Sequence, residues 1–137
     1  MSYPLWVDDR FPVVGNFREL GRGWPDGPSL WAAVRDKAPE HASELVEYLR
    51  NGTVLISATT LVHDILSPST TVIGGWHLLT DGRWLWHSDL AYYVKRYHVA
   101  LDPRFLVHAQ GNDWTVPQLT DAELLALEAV LLGDVTD

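Results

Sequence analysis

The sequence predicts a single α+β domain in which a small antiparallel sheet packs against four or five short helices. The chain has 137 residues, of which 47% are hydrophobic, and this is enough apolar material for one compact core. Apolar residues recur at helical spacing in several short stretches that begin with helix-capping residues. Between two of these stretches, Asp81-Gly82 is flanked by apolar and aromatic residues, which is typical of a β-hairpin.

The helices are predicted from their first residues and from the spacing that follows. Ser29 is suited to cap the first helix, and Pro39 is suited to the first turn of the second. Ser88 caps the third, and Asp102-Pro103 opens the fourth. A capping box at Thr120-Asp121-Ala122-Glu123 opens the fifth, which is an acidic amphipathic helix at the C-terminus. The predicted helices span about 29–35, 39–50, 88–97, 103–110 and 121–132.

The first strand is predicted after Asn51-Gly52, which supplies a left-handed end to the second helix. Residues 53–56 are apolar and β-branched, as strands prefer. Residues 57–66 are open between an irregular connection and a short further strand, and Gly74-Gly75 interrupts the chain before the hairpin. The predicted strands span about 53–56, 76–79 and 83–86.

The hairpin is predicted to turn on two residues, because Asp-Gly suits the positive φ values of a type I′ turn. This turn pairs Leu79 with Trp84 and Leu78 with Leu85. Since side chains alternate along a strand, one face should pack against helices and the other should face away. The helix-facing set is His77, Leu79, Trp84 and Trp86, and the opposite set is Leu78 and Leu85.

Residues 1–28 are predicted to be an irregular arm that packs on the domain, which itself spans residues 1–137. Four prolines and four glycines exclude a long helix in this segment, although one short strand near residues 12–14 is compatible with them. Its aromatic and aliphatic residues are too numerous for a free tail. The segment also lacks the basic and apolar regions of a signal peptide, so we expect a cytoplasmic protein without a membrane span.

Charge and composition exclude several classes of function. A net charge of -8 disfavours nucleic-acid binding, which needs a basic face. Residues 105–137 contain six acidic and no basic residues, so the C-terminal region is predicted to attract a basic protein partner through Asp121, Glu123 and Glu128. The chain has no cysteine, and its six histidines form no metal-binding motif. No catalytic motif is found, and neither a metal nor a cofactor is expected.

The aromatic stretch around the hairpin has two interpretations. The aromatic side chains could form the core, as aromatic residues commonly do in small domains. Alternatively, part of the stretch could form a binding surface or a pocket, because tryptophan, tyrosine and arginine are the residue types that anchor interfaces. The candidate binding residues are Arg83, Trp84, Trp86, His87, Asp89, Tyr92 and Arg96.

One segment resembles a group of small uncharacterised actinobacterial proteins. Residues 80–99 read TDGRWLWHSDLAYYVKRYHV, residues 101–105 read LDPRF, and residues 47–55 read EYLRNGTVL. The shared pattern is similar to TDGxWxWxxDLxYYVxxYHV, and the resemblance covers roughly residues 45–118. It implies no catalytic residues. In size and acidity the chain is also similar in class to the immunity proteins of bacterial toxin systems.

Three functions are therefore expected, in order. The first is a non-enzymatic, cytoplasmic protein-binding domain, such as an immunity-type or regulatory partner of a basic protein. The second is a small enzyme or ligand-binding domain with an aromatic pocket around Trp84, Trp86, His87 and Tyr92. The third is a homodimer that associates through exposed aromatic residues.

Overall fold

The computed structural model describes residues 12–22 and 24–132, with side chains as far as residue 130. These residues form one small α+β domain with a three-stranded sheet, which confirms the predicted fold class. A short 3-10 turn at Arg18–Leu20 precedes the longer elements. These are α1 (Leu30–Ala33), α2 (Ala42–Arg50), β1 (Thr53–His63), β2 (Val72–Thr80), β3 (Leu85–His87), α3 (Leu90–Tyr97), α4 (Pro103–Gly111) and α5 (Asp121–Leu132).

The sheet is antiparallel with strand order β1-β2-β3. Strand β1 is longer than predicted, because the ambiguous residues after position 56 continue it to His63. Its pairing with β2 is irregular at three places, so the extra length is accommodated by local shifts of register. The predicted break at Gly74-Gly75 is wrong, since both glycines lie inside β2, opposite Val62 and Leu61.

The predicted two-residue turn of the hairpin is also wrong. Thr80 pairs with Leu85 and Leu79 pairs with Trp86, so four residues, 81–84, form the loop. Only Gly82 has a positive φ, at 98°, whereas a type I′ turn needs two such residues. The Asp81 carboxylate decides the geometry, because its Oδ1 accepts hydrogen bonds from the amides of Arg83 (3.0 Å) and Trp84 (2.8 Å).

The predicted faces of the hairpin are correct for its buried residues, because the register moves by two positions and alternation has a period of two. Leu79, Trp84 and Trp86 belong to the main core with the helices. Leu78 and Leu85 form a second apolar cluster on the other face of the sheet.

The main core lies between the sheet and helices α2, α3 and α4. Trp86 is fully buried at its centre, and its indole N–H donates a hydrogen bond to the Leu49 carbonyl at 2.9 Å. The Trp86 ring packs against Tyr48 and Phe105, with centroid distances of 6.1 and 5.5 Å. This one side chain therefore connects β3 to both α2 and α4.

Residues 12–14 lie along the outer edge of β3. Val13 forms a parallel bridge with Leu85, and the Leu85 amide donates to the Pro12 carbonyl at 2.9 Å. The Val14 amide donates to the Leu85 carbonyl, also at 2.9 Å. The backbone amide and carbonyl of Leu85 are thereby paired on the side of β3 away from β2.

Three predicted helix caps are confirmed. The Ser29 hydroxyl accepts a hydrogen bond from the Ala32 amide (3.2 Å), and the Asp102 carboxylate accepts one from the Arg104 amide (2.9 Å). In the capping box, Thr120 accepts from the Glu123 amide at 3.1 Å, and Glu123 accepts from the Thr120 amide at 3.0 Å.

Two other predicted helix starts are wrong. Ser88 does not cap α3; its hydroxyl accepts from the His77 amide (3.0 Å) and donates to the Gly75 carbonyl (3.1 Å), so it bonds to β2 instead. Helix α2 begins at Ala42 rather than at Pro39, because His41 adopts a left-handed conformation with φ of 61°.

The predicted left-handed end at Asn51-Gly52 is wrong as well, since neither residue has a positive φ. Gly52 is needed for a different reason. A Cβ atom at this position would lie 2.6 Å from Cζ2 of Trp86 and 3.0 Å from Cβ of Leu79. The absence of a side chain allows α2 and β1 to approach the central indole closely.

We therefore expect Gly52→Ala to lower the free energy of unfolding by about 1–3 kcal/mol, because the added methyl group overpacks the core against Trp86. Gly111→Ala is the control, since a Cβ there meets no atom within 4 Å. It should be neutral or stabilising by up to about 1 kcal/mol, as alanine favours a helix. Urea denaturation measures both, and equal effects would contradict the assigned close approach.

Candidate functional site

The candidate binding residues do not share one surface. Trp84 and Trp86 are buried, with exposures of 6% and 0%, and both pack edge-to-face against Phe105 with centroid distances of 5.5 Å. Arg83 and Arg96 are exposed. The Arg96 guanidinium lies 5.4 Å from the centre of the Tyr97 ring. The two indoles thus lie in the core, and the arginines lie on the surface.

His87 is buried and uncharged in the folded protein near neutral pH. Its Nδ1 accepts a hydrogen bond from the Trp76 indole N–H at 2.8 Å. Burial and, to a smaller extent, the Arg22 guanidinium lower the pKa of His87, Asp89 acts in the opposite sense, and the net pKa is about 4. The neutral ring therefore accepts from Trp76 through Nδ1 and carries its own proton on Nε2.

Asp89 is also buried, and Arg22 neutralises it. The two guanidinium nitrogens of Arg22 lie 2.9 and 2.6 Å from the two carboxylate oxygens, which is a bidentate ion pair. Asp89 immediately precedes α3, so the pair connects the N-terminal part of the chain to that helix. Its position and its partner explain an acidic residue at 2% exposure.

Tyr92 belongs to a hydrogen-bonded group that the sequence analysis did not identify. The Tyr92 and Tyr97 hydroxyls donate to the same Oδ2 of Asp64, at 2.7 and 2.6 Å. Burial alone would raise the pKa of Asp64, but the hydrogen bonds from Tyr97, Tyr92 and nearby amides outweigh it and hold this pKa below its usual 3.8. The hydrogen bond to Asp64 raises the pKa of Tyr97 to about 12. The group attaches the β1–β2 connection to α3.

Asp81 is a third buried carboxylate, and the sequence predicts it only as a turn residue. Besides the two loop amides, it accepts a hydrogen bond from the Tyr48 hydroxyl at 2.6 Å, and Nε2 of His108 lies 2.9 Å from the same oxygen. The Tyr48 hydroxyl in turn accepts one from the Asn112 amide at 3.0 Å. Burial and then Asp81 raise the pKa of Tyr48. The network connects the hairpin loop with α2 and α4.

No sequence motif identifies either network, because the side chains that bond to Asp64 and Asp81 lie 27 to 33 residues away from these carboxylates. The sequence indicates such a network only through chemistry, because an aspartate in a buried hairpin loop needs several hydrogen-bond donors for its carboxylate.

Two cavities lie beside α2. One, of about 280 Å³, lies between α2 and α3 and has a mixed rim that includes Glu47, Arg50, Lys95 and His98. The other, of about 260 Å³, lies between the start of α2 and the end of α4, where His41 and Trp114 face each other. Neither cavity is lined by Trp84, Trp86, His87 or Tyr92.

Helix α5 presents the predicted acidic residues Asp121, Glu123 and Glu128, all of which are exposed. Among the side chains described for this helix, residues 121–130, Leu127 alone is buried. Leu125 is 65% exposed. The helix therefore combines exposed carboxylates with exposed apolar surface.

Within the part of the chain that the structure describes, no group of three or more histidine, aspartate or glutamate side chains could hold a metal ion. No helix in the same ranges is long and apolar enough to cross a membrane. No protein-family model matches the sequence, and no solved structure matches the chain.

Tyr48→Phe is expected to lower the free energy of unfolding by about 1–3 kcal/mol, since it removes one donor from the buried Asp81 and leaves the partly buried Asn112 side chain without its acceptor. Tyr92→Phe is the matched control. It should lower the free energy of unfolding by only about 0.5–1.5 kcal/mol, because Tyr92 is partly exposed and Asp64 retains the hydrogen bond from Tyr97. Urea denaturation compares the two, and the reverse order would contradict the central role of Asp81.

His87 should make folding sensitive to acid. Its pKa is about 6.5 when unfolded and about 4 when folded, so the unfolded state binds the proton first. The contribution of neutral His87 to the free energy of unfolding is complete above pH 6.5. It is lost as the pH falls towards 4, and the loss is on the order of 3 kcal/mol. In His87→Asn, whose amide oxygen can still accept from Trp76, the free energy of unfolding should fall less steeply between pH 7 and 4. Identical slopes in urea denaturation would refute this assignment.

Proposed function

We propose that the protein is a non-enzymatic binding domain that engages a basic protein partner through α5. The observation that carries this proposal is the surface of that helix. Its described part buries one side chain, Leu127, and exposes Leu125 between carboxylates. Exposed apolar surface within a polar rim is typical of interaction sites.

The geometry of α5 groups the relevant residues. Asp121, Leu125 and Glu128 stand at i, i+4 and i+7, so they share one face of the helix; we name them the acidic stripe. Glu123 participates in the capping box, which leaves Asp121 and Glu128 as the carboxylates of this face. A partner would bury Leu125 in an apolar depression and place cations at both sides of it.

Charge supports a basic partner over a neutral one. Beyond Arg104 the chain contains aspartate and glutamate but no lysine or arginine. The negative charge of the stripe is therefore not neutralised by cationic side chains from this region. A negative surface of this kind accelerates encounter with a positive protein and makes association depend on salt. An immunity-type or regulatory role is the finer form of the proposal, in which the domain covers a basic surface of its partner.

The alternative, a small enzyme or ligand-binding domain with a pocket around Trp84, Trp86, His87 and Tyr92, has less support. The two indoles fill the core, His87 accepts from Trp76, and Tyr92 donates to Asp64. Each of these side chains thus has a structural role in the fold.

The test compares two double variants with the same change in charge. Asp121→Asn with Glu128→Lys alters the acidic stripe, and Asp26→Asn with Asp36→Lys alters exposed loop residues elsewhere. We expect the wild type and the loop variant to capture the same basic protein from a lysate of the source organism at 50 mM salt, and the stripe variant to capture at least about tenfold less. Titration calorimetry with the purified partner then measures each affinity.

Salt provides the control on mechanism, because 500 mM salt should release the partner from the wild type. Equal capture by the stripe and loop variants, or a partner with an acidic surface, would contradict the proposal. Circular dichroism establishes that both variants remain folded.

A further inference from the structure

The cavity between the start of α2 and the end of α4 has features of a small-molecule site. Its volume is about 260 Å³, which is close to the lower end of ligand pockets. Three chain segments form it: residues 39–45, residues 99–101 and the end of α4 with the residues that follow. Its walls are mainly aliphatic, from Leu45, Val99, Leu101 and Leu106.

One side of the cavity is aromatic. The rings of His41 and Trp114 lie 5.5 Å apart between centroids, with 32° between their planes. Both residues have positive φ, 61° and 56°, a backbone conformation that residues other than glycine adopt infrequently and that is least expected for a bulky side chain such as Trp114. The Trp114 amide donates to the Ala109 carbonyl at 3.0 Å, so the end of α4 holds this conformation. Two disfavoured backbone conformations thus occur at the same cavity.

The charge at this cavity is negative. Glu40 lines the cavity. The carboxylate of the neighbouring Glu44 lies 2.8 Å from Nδ1 of His41. Nε2 of His41 lies 3.9 Å from the Glu40 carboxylate. Among the described residues that line the cavity there is no lysine or arginine, and Gln110 adds an uncharged polar group. The cavity therefore has an aromatic side, an aliphatic wall and an exposed carboxylate, Glu40, at its rim.

We propose that this cavity binds a small organic amine in its cationic form. The ammonium group would lie at the rim of the cavity, beside the Trp114 ring and near the Glu40 carboxylate, where a cation–π interaction and a screened ion pair both favour a cation. The hydrocarbon part would pack against Leu45, Leu101 and Leu106. An anion would meet Glu40 and the net charge of -8, so the site discriminates by charge. This site is separate from the acidic stripe.

Three probes of similar size and different charge test the proposal on the full chain at pH 7.5: 2-phenylethylamine, 2-phenylethanol and 3-phenylpropanoate. Amide and indole N–H resonances of the 15N-labelled protein are followed by NMR during titration. We expect saturable shifts at Leu101, Gln110 and Trp114, with a dissociation constant for the amine of about 1 mM or lower. The alcohol should bind at least about threefold more weakly, and the carboxylate should not saturate.

Two variants locate the cation. Glu40→Gln should weaken binding of the amine about threefold and leave binding of the alcohol unchanged. The effect on the amine is modest because Glu40 is largely exposed and its ion pair is screened. Glu47→Gln, an exposed glutamate of α2 outside this cavity, should change neither. The proposal is overturned if the amine produces no saturable shifts at the lining residues, if the carboxylate binds as tightly as the amine, or if both variants behave alike.

Discussion

A carboxylate that is almost completely removed from water organises the centre of this domain. Asp81 lies in the hairpin loop with 3% exposure, and a buried charge of this kind is tolerated only when several donors surround it. Tyr48 of α2, His108 of α4 and two amides of the loop itself surround this carboxylate. Their geometry fixes the four-residue loop, and the loop sets the register in which β3 presents Trp86 to the helices.

The same constraint applies at two other places. Asp64 requires the hydroxyls of Tyr92 and Tyr97, and Asp89 requires the guanidinium of Arg22. Each of these three carboxylates precedes or follows a regular element, and each attaches an irregular segment to a helix. Charge-assisted hydrogen bonds help to position these irregular segments. A domain without disulfides thereby orders its connections.

This arrangement separates folding from recognition. Most of the conspicuous aromatic residues serve the core: Trp84 and Trp86 pack on Phe105, and Tyr92, Tyr93 and Tyr97 pack on one another. The two surfaces for which we propose partners are peripheral. They are the acidic stripe of α5 and the cavity at the start of α2, and both carry acidic residues, which agrees with the net charge of the chain.

The sequence by itself determined the fold class, the positions of the five helices within a few residues, and the two faces of the hairpin. These features depend on local capping and on periodicity, as at Ser29, at Asp102 and in the capping box of α5, where the interacting atoms are within a few residues of each other. The predicted faces of a strand remain correct when its predicted register is wrong by an even number of residues.

Only the tertiary structure decided the hairpin register, the role of Ser88, the ends of α2 and the assignment of candidate residues to core or surface. Each of these depends on atoms that are distant in sequence: Tyr48 and His108 for Asp81, Gly75 for Ser88, and Trp86 for Gly52. A local preference, such as that of Asp-Gly for a two-residue turn, is worth little compared with leaving a buried carboxylate without donors, so the long-range contacts prevail.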